Sequence, residues 1–196
     1  MSFAVPRREF RSEPVVELDL VVADREAFRS GMRALASGVS LVTQANGDDM
    51  TGMTATSVTS LAADPPMLIV CINRTASLYP TLAPGVVFGV NVLSADQQDV
   101  ADRFAGRTGA KGRDRFAGSP WIVTPDGAPL LVGALAAFEC EVDELVERHT
   151  HVIVIGQVRR VATRSTGNAL VYWRGGYDRL GWADDELARA TGVTPS

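Results

Sequence analysis

The sequence predicts a mainly β fold, an antiparallel barrel that is closed or split and carries a few short helices. About seven segments have the apolar, β-branched composition of strands, and only two or three helical segments accompany them. Strands and helices do not alternate regularly, which disfavours a doubly wound parallel sheet. With 196 residues, 46% of them hydrophobic, the chain is long enough for one domain with its own core.

The N-terminal part is predicted as an arm followed by a helix. Residues 1–24 mix proline, arginine and glutamate and are expected to lie outside the domain, which we place at 25–181. Asp24 is the expected helix cap and Gly38 the expected stop. The apolar stripe of this helix has helical spacing and comprises Phe28, Met32, Leu35 and Ala36.

The strand segments begin directly after Gly38. Residues 39–43 alternate and are rich in β-branched side chains, and Asn46-Gly47 is a strong hairpin signal. Residues 50–60 are predicted as one hydroxyl-rich strand that ends at Asp64-Pro65-Pro66. Further strands are predicted at 67–72, 86–93, 133–146, 150–163 and 169–177, and the last of them is expected to end in a glycine turn.

A second helix is expected in the middle of the chain. Ser94 and Gln97 have the spacing of a capping box, and the helix should run to about Ala105. Its inward-facing residues are expected to be Val100, Ala101 and Phe104. Residues 106–118 are glycine-rich and basic, which is typical of a loop, and residues 182–196 form a tail.

Composition excludes several classes of protein. The 19 basic residues are outnumbered by 23 acidic ones, and nothing in their distribution indicates a nucleic-acid-binding face. No apolar run approaches the roughly 20 residues of a membrane helix, and no secretory signal is evident, so we expect a cytoplasmic protein that binds no membrane. Cys71 and Cys140 lie in apolar runs and are expected to be inert core thiols.

The segment 151–158 (HVIVIGQV) is apolar on both faces. In an antiparallel barrel one face of a strand looks inward, and the other meets solvent unless something covers it. A second subunit is the simplest cover, so the sequence predicts a homodimer.

The only two histidines, His149 and His151, are spaced so that both imidazoles would point the same way on a strand. They could chelate a metal, but a catalytic zinc site wants a third protein ligand and no carboxylate has a compelling spacing, so no metal ligand is assigned. The alternatives are a single functional histidine or two structural ones.

A hydroxyl-rich strand is the most informative candidate site. The small side chains of 54–57 (TATS) leave room for a flat ligand and supply donors, although a Thr-rich edge strand would have the same composition. Arg74 and Ser77, on the next turn, could meet a phosphate, because arginine suits planar recognition of such groups. A GxGxxG fingerprint after a strand is absent, which argues only against a Rossmann mode of nucleotide binding.

An ordered series of motifs resembles one family, the short-chain flavin reductases of two-component flavin-dependent monooxygenases, over about residues 25–180. Each motif alone is weak, and their order and spacing carry the resemblance. They are 28–43 (FRSGMRALASGVSLVT), 52–57 (GMTATS), 60–66 (SLAADPP), 71–77 (CINRTAS), 88–93 (FGVNVL), 103–105 (RFA), 114–118 (DRFAG), 151–158 (HVIVIGQV) and 172–177 (YWRGGY).

The resemblance implies a Greek-key, FMN-binding split barrel that dimerises with the flavin at the interface. It implies an NAD(P)H:flavin oxidoreductase that passes a hydride from NADH or NADPH to FMN or FAD. The reduced flavin would then diffuse to a separate monooxygenase. The alternatives are a non-catalytic flavin-binding protein on the same barrel and, with less support, a small metalloenzyme that uses both histidines.

The resemblance also implies the site residues. Counting back five residues from Gly156 selects His151 as the catalytic residue on the nicotinamide side. The family's Gly-Asp before that histidine is His149-Thr150 here, and a family lysine appears as Arg115. The implied cofactor-binding residues are Met53, Thr54, Ala55, Thr56, Ser57, Cys71, Asn73, Arg74, Ser77, Phe104, Arg115, Phe116 and Tyr177.

Overall fold

The computed structural model describes residues 20–47 and 49–181. Most of the predicted arm over 1–24 and all of the predicted tail over 182–196 therefore lie outside the described residues. The chain divides into two compact units, Met1–Met32 and Arg33–Ser196. No helix of the described part is long and apolar enough to cross a membrane.

In the first unit the described structure is a short helix, α1 (Arg25–Met32). The Asp24 carboxylate accepts the Ala27 N–H at 2.7 Å, which confirms the predicted cap. The stop at Gly38 is wrong, because α1 ends six residues earlier. Phe28 is 63% exposed, so the predicted stripe is not buried within this unit.

The second unit begins with extended chain rather than helix because distant segments bind it. Ser37–Gly38 forms a two-residue strand, β1, that pairs with Tyr172 and Val171. The indole N–H of Trp173 donates to the carbonyl of Ala34 at 3.2 Å, so tertiary hydrogen bonds replace those that a longer helix would make.

The remaining elements of this unit are mostly antiparallel strands. They are β2 (Ser40–Asn46), β3 (Asp49–Ala55), β4 (Thr59–Ala63), β5 (Pro66–Asn73), β6 (Val87–Val92), β7 (Trp121–Val123), β8 (Pro129–Leu131), β9 (Ala136–Arg148), β10 (His151–Thr163), β11 (Ala169–Trp173) and β12 (Gly176–Leu180). The helices are α2 (Gln98–Phe104) and the 3₁₀ turns Tyr79–Thr81, Ala95–Gln97 and Gly112–Phe116.

Seven strands form the main sheet, in the order β3-β2-β6-β9-β10-β5-β4. Its inner face supplies the larger core, to which six of the seven strands contribute, with Val70, Phe88, Cys140 and Val154 fully buried. A second core packs against α2 and against β11, which is the middle strand of the three-stranded sheet β1-β11-β12. This arrangement confirms the predicted mainly β, antiparallel fold with few short helices.

Several local predictions are confirmed. Asn46 pairs with Asp49 across the β2–β3 hairpin, and Gly47 has a positive φ of 61°, which glycine adopts without strain. The capping box is present, since the backbone N–H of Ser94 donates to the Gln97 side chain at 3.1 Å. The inward side chains of α2 are buried as expected, namely Val100, Ala101 and Phe104.

Three predictions are wrong. Residues 50–60 are two strands, because β3 pairs with β2 whereas β4 turns away to pair with β5. Residues 169–177 were expected to be a last strand that ends in a glycine turn; the turn is present at Arg174-Gly175, but a further strand, β12, follows it. The β7–β8 hairpin was not predicted. Cys71 is exposed, because it alternates with the buried Val70 and Ile72 and points out of the barrel.

Candidate functional site

A cleft of about 370 Å³ opens beside β3, between the turn that follows β5 and the segment that follows α2. It brings together an apolar side chain of β3, hydroxyls of the turn and two cations of the glycine-rich loop. Its lining residues are Met53, Thr75, Ala76, Ser77, Phe104, Ala105, Lys111, Gly112 and Arg115.

Arg115 is the best-anchored cation of the cleft. Its Nη1 donates to the carbonyl oxygen of Gly52 at 2.6 Å and to the Ser77 hydroxyl at 3.4 Å, and its Nε donates to the Ala110 carbonyl at 3.2 Å. The Ser77 hydroxyl also lies 3.0 Å from that of Thr51. A fixed guanidinium beside hydroxyls is suited to binding a phosphate group.

Lys111 is a second cation at the same cleft; the family resemblance implied that the loop 111–116 covers the flavin tail, but it did not single out this residue. Lys111 forms no ion pair with any residue in the described ranges, so its charge is not neutralised there. Two features of the sequence could have identified Lys111: it is the only lysine of the chain, and it lies in the glycine-rich loop.

β3 lies very close to α2 beside this cleft. A Cβ at Gly52 would come within 2.7 Å of both the Phe104 ring and the Val42 carbonyl, so only glycine fits without a shift. The Thr54 hydroxyl donates to the Ala101 carbonyl at 2.7 Å. The Thr54 hydroxyl therefore bonds β3 to α2, while the side chain of the preceding residue, Met53, lines the cleft.

The other residues of the hydroxyl-rich strand lie in several environments. Ala55 is buried in the larger core and Thr56 is exposed. Ser57 bridges the backbone of Cys71, since its hydroxyl donates to the carbonyl at 3.0 Å and accepts the N–H at 3.1 Å. These bonds join the segment between β3 and β4 to β5, beyond the ladder pair of Thr59 and Ile69.

Asn73 builds the turn that carries Ser77 to the cleft. Its side-chain oxygen accepts the N–H of Thr75 at 2.9 Å and the Thr75 hydroxyl at 2.8 Å. The Asn73 carbonyl accepts the Ala76 N–H at 2.9 Å. Asn73 thus shapes the backbone of the turn and is not itself a lining residue.

Arg74 is directed to a different group of residues. Its Nη1 lies 3.5 Å from a Glu147 oxygen and 3.5 Å from the His149 carbonyl, and its guanidinium stands over the Tyr79 ring at 5.6 Å. The Tyr79 hydroxyl donates to Glu147 at 2.6 Å. Arg74 is therefore tied to the β9–β10 hairpin, and it does not line the cleft.

His151 begins β10 and lies opposite Asn73 of β5, next to the same turn. Its Nδ1 is 2.9 Å from the Thr150 hydroxyl. His149 belongs to the hairpin turn and has a positive φ of 49°, so the two histidines do not share a strand face. Within the described residues no three histidine, cysteine or carboxylate side chains form a group that could hold a metal.

Two aromatic pairs lie in or against the second core, and of their four rings only Phe104 lines the cleft. Phe104 is only 2% exposed and meets Phe116 edge to face at 4.9 Å, so Phe116 supports it from the second core. Tyr177 packs against Tyr172 and lies beneath the Arg107 guanidinium at 4.9 Å. Burial raises the pKa of Tyr177, and the Arg107 charge opposes that rise.

Four of the implied cofactor-binding residues thus meet at the cleft, namely Met53, Ser77, Phe104 and Arg115. His151 and Asn73 lie side by side on neighbouring strands, at the base of the turn that leads to it. Cationic, hydroxyl and apolar groups together fit a ligand that joins a phosphate to an aromatic ring, and a flavin mononucleotide has this composition.

The chain is similar to proteins of known activity along most of its length. It is 39% identical over 158 residues to an FMN reductase (NADH), RutF 2, of Methylorubrum extorquens, covering 81% of this chain and 91% of that protein. It is 37% identical over 163 residues to the FMN reductase (NADH) RutF of Pseudomonas syringae, covering 83% and 90%.

Solved structures give the same result. The NADH:FAD oxidoreductase SgcE6 of Streptomyces globisporus, in complex with NAD and FAD fragments, has a TM-score of 0.75 at 31% identity and covers 84% of this chain and 98% of that one. BorF, the flavin reductase component of a bacterial two-component tryptophan halogenase, has a TM-score of 0.74 at 34% identity, covering 82% and 100%. Residues 32–181 match the flavin reductase like domain, and the chain is therefore a member of that family.

Proposed function

We propose that this protein is an NADH-dependent flavin reductase that reduces FMN, or FAD, and releases it to a separate monooxygenase. The observation that carries the proposal is the cleft, where Arg115, Lys111 and Ser77 offer cations and a hydroxyl beside the apolar Met53. Relatives named as FMN reductases (NADH) cover most of the chain, which favours the same reaction here.

The residues of the cleft bind and orient the ligand. Arg115 and Lys111 would hold the flavin phosphate, with the Ser77 hydroxyl as a further donor. Met53 and the edge of Phe104 would exclude water from one side of the ring system. Flavin, when bound, supplies a ring that takes up a hydride, two electrons and one proton, from the C4 carbon of a reduced nicotinamide.

His151 is proposed to meet the nicotinamide. It is the first residue of β10, directly across from Asn73, and the turn built by Asn73 leads to Ser77 at the cleft. The imidazole would orient the dinucleotide through a hydrogen bond rather than move a proton, because hydride transfer needs little acid–base chemistry.

The outer face of the main sheet supports a homodimer. Ile153 and Ile155 alternate with the buried Val152 and Val154, so they point out of the barrel on the same face as His151. Cys71 lies opposite Ile153 on the neighbouring strand and extends this apolar surface. A second copy of the chain would cover it and would place His151 at the edge of the interface.

Release of reduced flavin requires that it be bound loosely. The cleft offers two cations, and its lining residues include no cysteine, histidine or tyrosine to which a flavin ring could be attached covalently. BorF, similar to this chain, is the reductase component of a two-component halogenase. We therefore propose transfer by diffusion to a partner oxygenase.

The two thiols form no disulfide, which is compatible with a reducing compartment such as the cytoplasm.

The test is steady-state oxidation of NADH, and separately of NADPH, with added FMN or FAD. We expect turnover with NADH and FMN. The His151→Ala variant should lose at least about tenfold in kcat/KM for NADH while its Kd for FMN stays the same. His149→Ala is the matched control and should retain turnover.

Two outcomes would contradict these assignments. Flavin binding without NADH or NADPH oxidation would exclude the reductase and favour a non-catalytic flavin-binding protein. If the His151→Ala variant turns over as fast as the wild type, the role proposed for His151 is excluded, but the assignment of the protein as a flavin reductase is not.

A further inference from the structure

The hairpin between β9 and β10 closes through His149 and Thr150, and Thr150 makes two contacts there. Its carbonyl accepts the backbone N–H of Arg74 at 3.0 Å. Its hydroxyl lies 2.9 Å from Nδ1 of the adjacent His151. The backbone of this residue is thus bonded to the turn after β5, and its side chain is bonded to the imidazole.

We propose that Thr150 is a positioning residue that sets the orientation of the His151 ring, an inference that rests on the proposed function. A hydrogen bond at Nδ1 stops the ring from rotating and leaves Nε2 as the nitrogen that can meet a ligand. Nε2 has no hydrogen-bond partner among the described residues. The hydroxyl can donate to Nδ1 or accept from it, so it serves either tautomer of the neutral ring.

His151 needs such an anchor because its side chain is exposed. An exposed side chain samples several rotamers, and a ligand that binds it must pay the entropy of selecting one. The Thr150 hydroxyl selects the ring orientation before the ligand arrives. Its loss should therefore appear mainly as a higher KM for NADH.

The turn that carries Thr150 is itself held in place. The Arg74 side chain reaches back over it to the His149 carbonyl and to Glu147, both at 3.5 Å, and Tyr79 fixes the Glu147 carboxylate. The turn that delivers Ser77 to the cleft is thus bonded to the turn that directly precedes His151. Thr150 is the residue through which this connection reaches the imidazole.

The experiment compares Thr150→Val, which removes the hydroxyl and keeps the β-branched shape, with Thr150→Ser, which keeps the hydroxyl. We expect Thr150→Val to raise the KM for NADH about three- to tenfold at an unchanged Kd for FMN, and Thr150→Ser to restore most of it. Thr150→Ala replaces the valine variant if valine does not fold. Thr166→Val, beyond the far end of β10, is the matched control.

A second readout requires no activity. The ¹⁵N NMR signals of the His151 ring, assigned with His149→Ala, should shift at Nδ1 in Thr150→Val and return in Thr150→Ser. In a His151→Ala background, Thr150→Val should not raise the KM for NADH any further. Unchanged ring signals together with an unchanged KM would overturn the proposal, and so would an equal loss in the His151→Ala background.

Failure of the proposed function gives a different result. Wild-type protein that oxidises neither dinucleotide with either flavin would contradict the reductase, and with it any role for Thr150 in catalysis. The NMR shift would still report whether the hydroxyl orients the ring. Active wild-type protein with an insensitive Thr150→Val variant would contradict this inference alone.

Discussion

The guanidinium of Arg115 lies 2.6 Å from the carbonyl oxygen of Gly52, a contact between residues 63 positions apart in the chain. It connects the glycine-rich loop to β3 at the wall of the cleft. Because the Ala110 carbonyl and the Ser77 hydroxyl also accept from the same side chain, the charge is fixed before any ligand binds. A cation held in this way loses little entropy on binding a phosphate.

Replacing Arg115 with glutamine should weaken FMN binding about 10- to 100-fold. A charged hydrogen bond contributes about 1.5–3 kcal/mol, and about 1.4 kcal/mol corresponds to a factor of ten in Kd. Arg115→Lys should recover only part of the loss, because lysine keeps the charge without the fork of donors. Fluorescence titration of FMN measures both variants.

The matched control for this prediction is Arg159→Gln. Arg159 pairs with Glu141 at 2.9 Å and does not line the cleft, so its loss should leave the Kd for FMN unchanged. Equal weakening by both variants would indicate a general effect of net charge and would contradict the specific role of Arg115.

Gly52→Ala should destabilise the protein by about 1–3 kcal/mol, because an added methyl group would overlap the Phe104 ring and the Val42 carbonyl. The ring can move, but the backbone oxygen of the neighbouring strand cannot move without breaking the β2–β3 ladder. Urea denaturation measures the difference. Gly38→Ala is the control, since it would meet nothing within 4 Å, and an equal loss there would contradict the steric explanation.

The predictions from sequence that succeeded depend on local chemistry. The turn at Asn46-Gly47, the capping box of Ser94 and the inward face of α2 are each decided within a few residues. The β7–β8 hairpin was missed because a distant residue fixes it. The buried Asn91 side chain accepts the Leu131 N–H at 2.7 Å, a bond that no local pattern reveals.

The site was predictable to a similar extent. Ser77 and Arg115 were identified from motifs, and they do meet at the cleft. Arg74 also has the chemistry of a phosphate ligand, but Glu147, 73 positions later, draws its side chain to the hairpin instead. The side chain's direction depends on which charges the fold brings near, and the sequence does not specify that locally.

Stability should fall in alkaline solution partly because of Cys140. Burial, assisted by the nearby Glu139, raises the pKa of this thiol from its ordinary 9.0 to about 12. The folded protein thus keeps the thiol neutral, whereas the unfolded chain ionises above pH 9. The contribution of this pKa difference to the free energy of unfolding is fully present below pH 9 and is lost as the pH rises toward 12. At ~1.36 kcal/mol per pH unit, the total loss is limited to about 4 kcal/mol.

The measurement compares urea denaturation of the wild type and Cys140→Ala between pH 8 and 11. The variant should be less stable at pH 8, because it leaves a small cavity, and its stability should decline less steeply above pH 9. Parallel declines for the two proteins would contradict the assignment. Other groups whose pKa is shifted on folding, such as Tyr177, whose pKa burial raises, are common to both proteins and cancel in the comparison.

The proposed dimer predicts that a charge on the outer face of β10 will separate the subunits. Ile153 is half-buried on that face, opposite Cys71, and Ile153→Asp would place an uncompensated carboxylate in the apolar interface. We expect the wild type to have the mass of a dimer in light scattering and the variant that of a monomer. Val161→Asp is the control, because Val161 lies farther along the same strand and is already 58% exposed.

The monomeric variant should also bind NADH more weakly, since His151 would lie at the edge of the interface. A dimeric Ile153→Asp variant, or a monomeric wild type, would contradict the assignment of this face to a second copy of the chain.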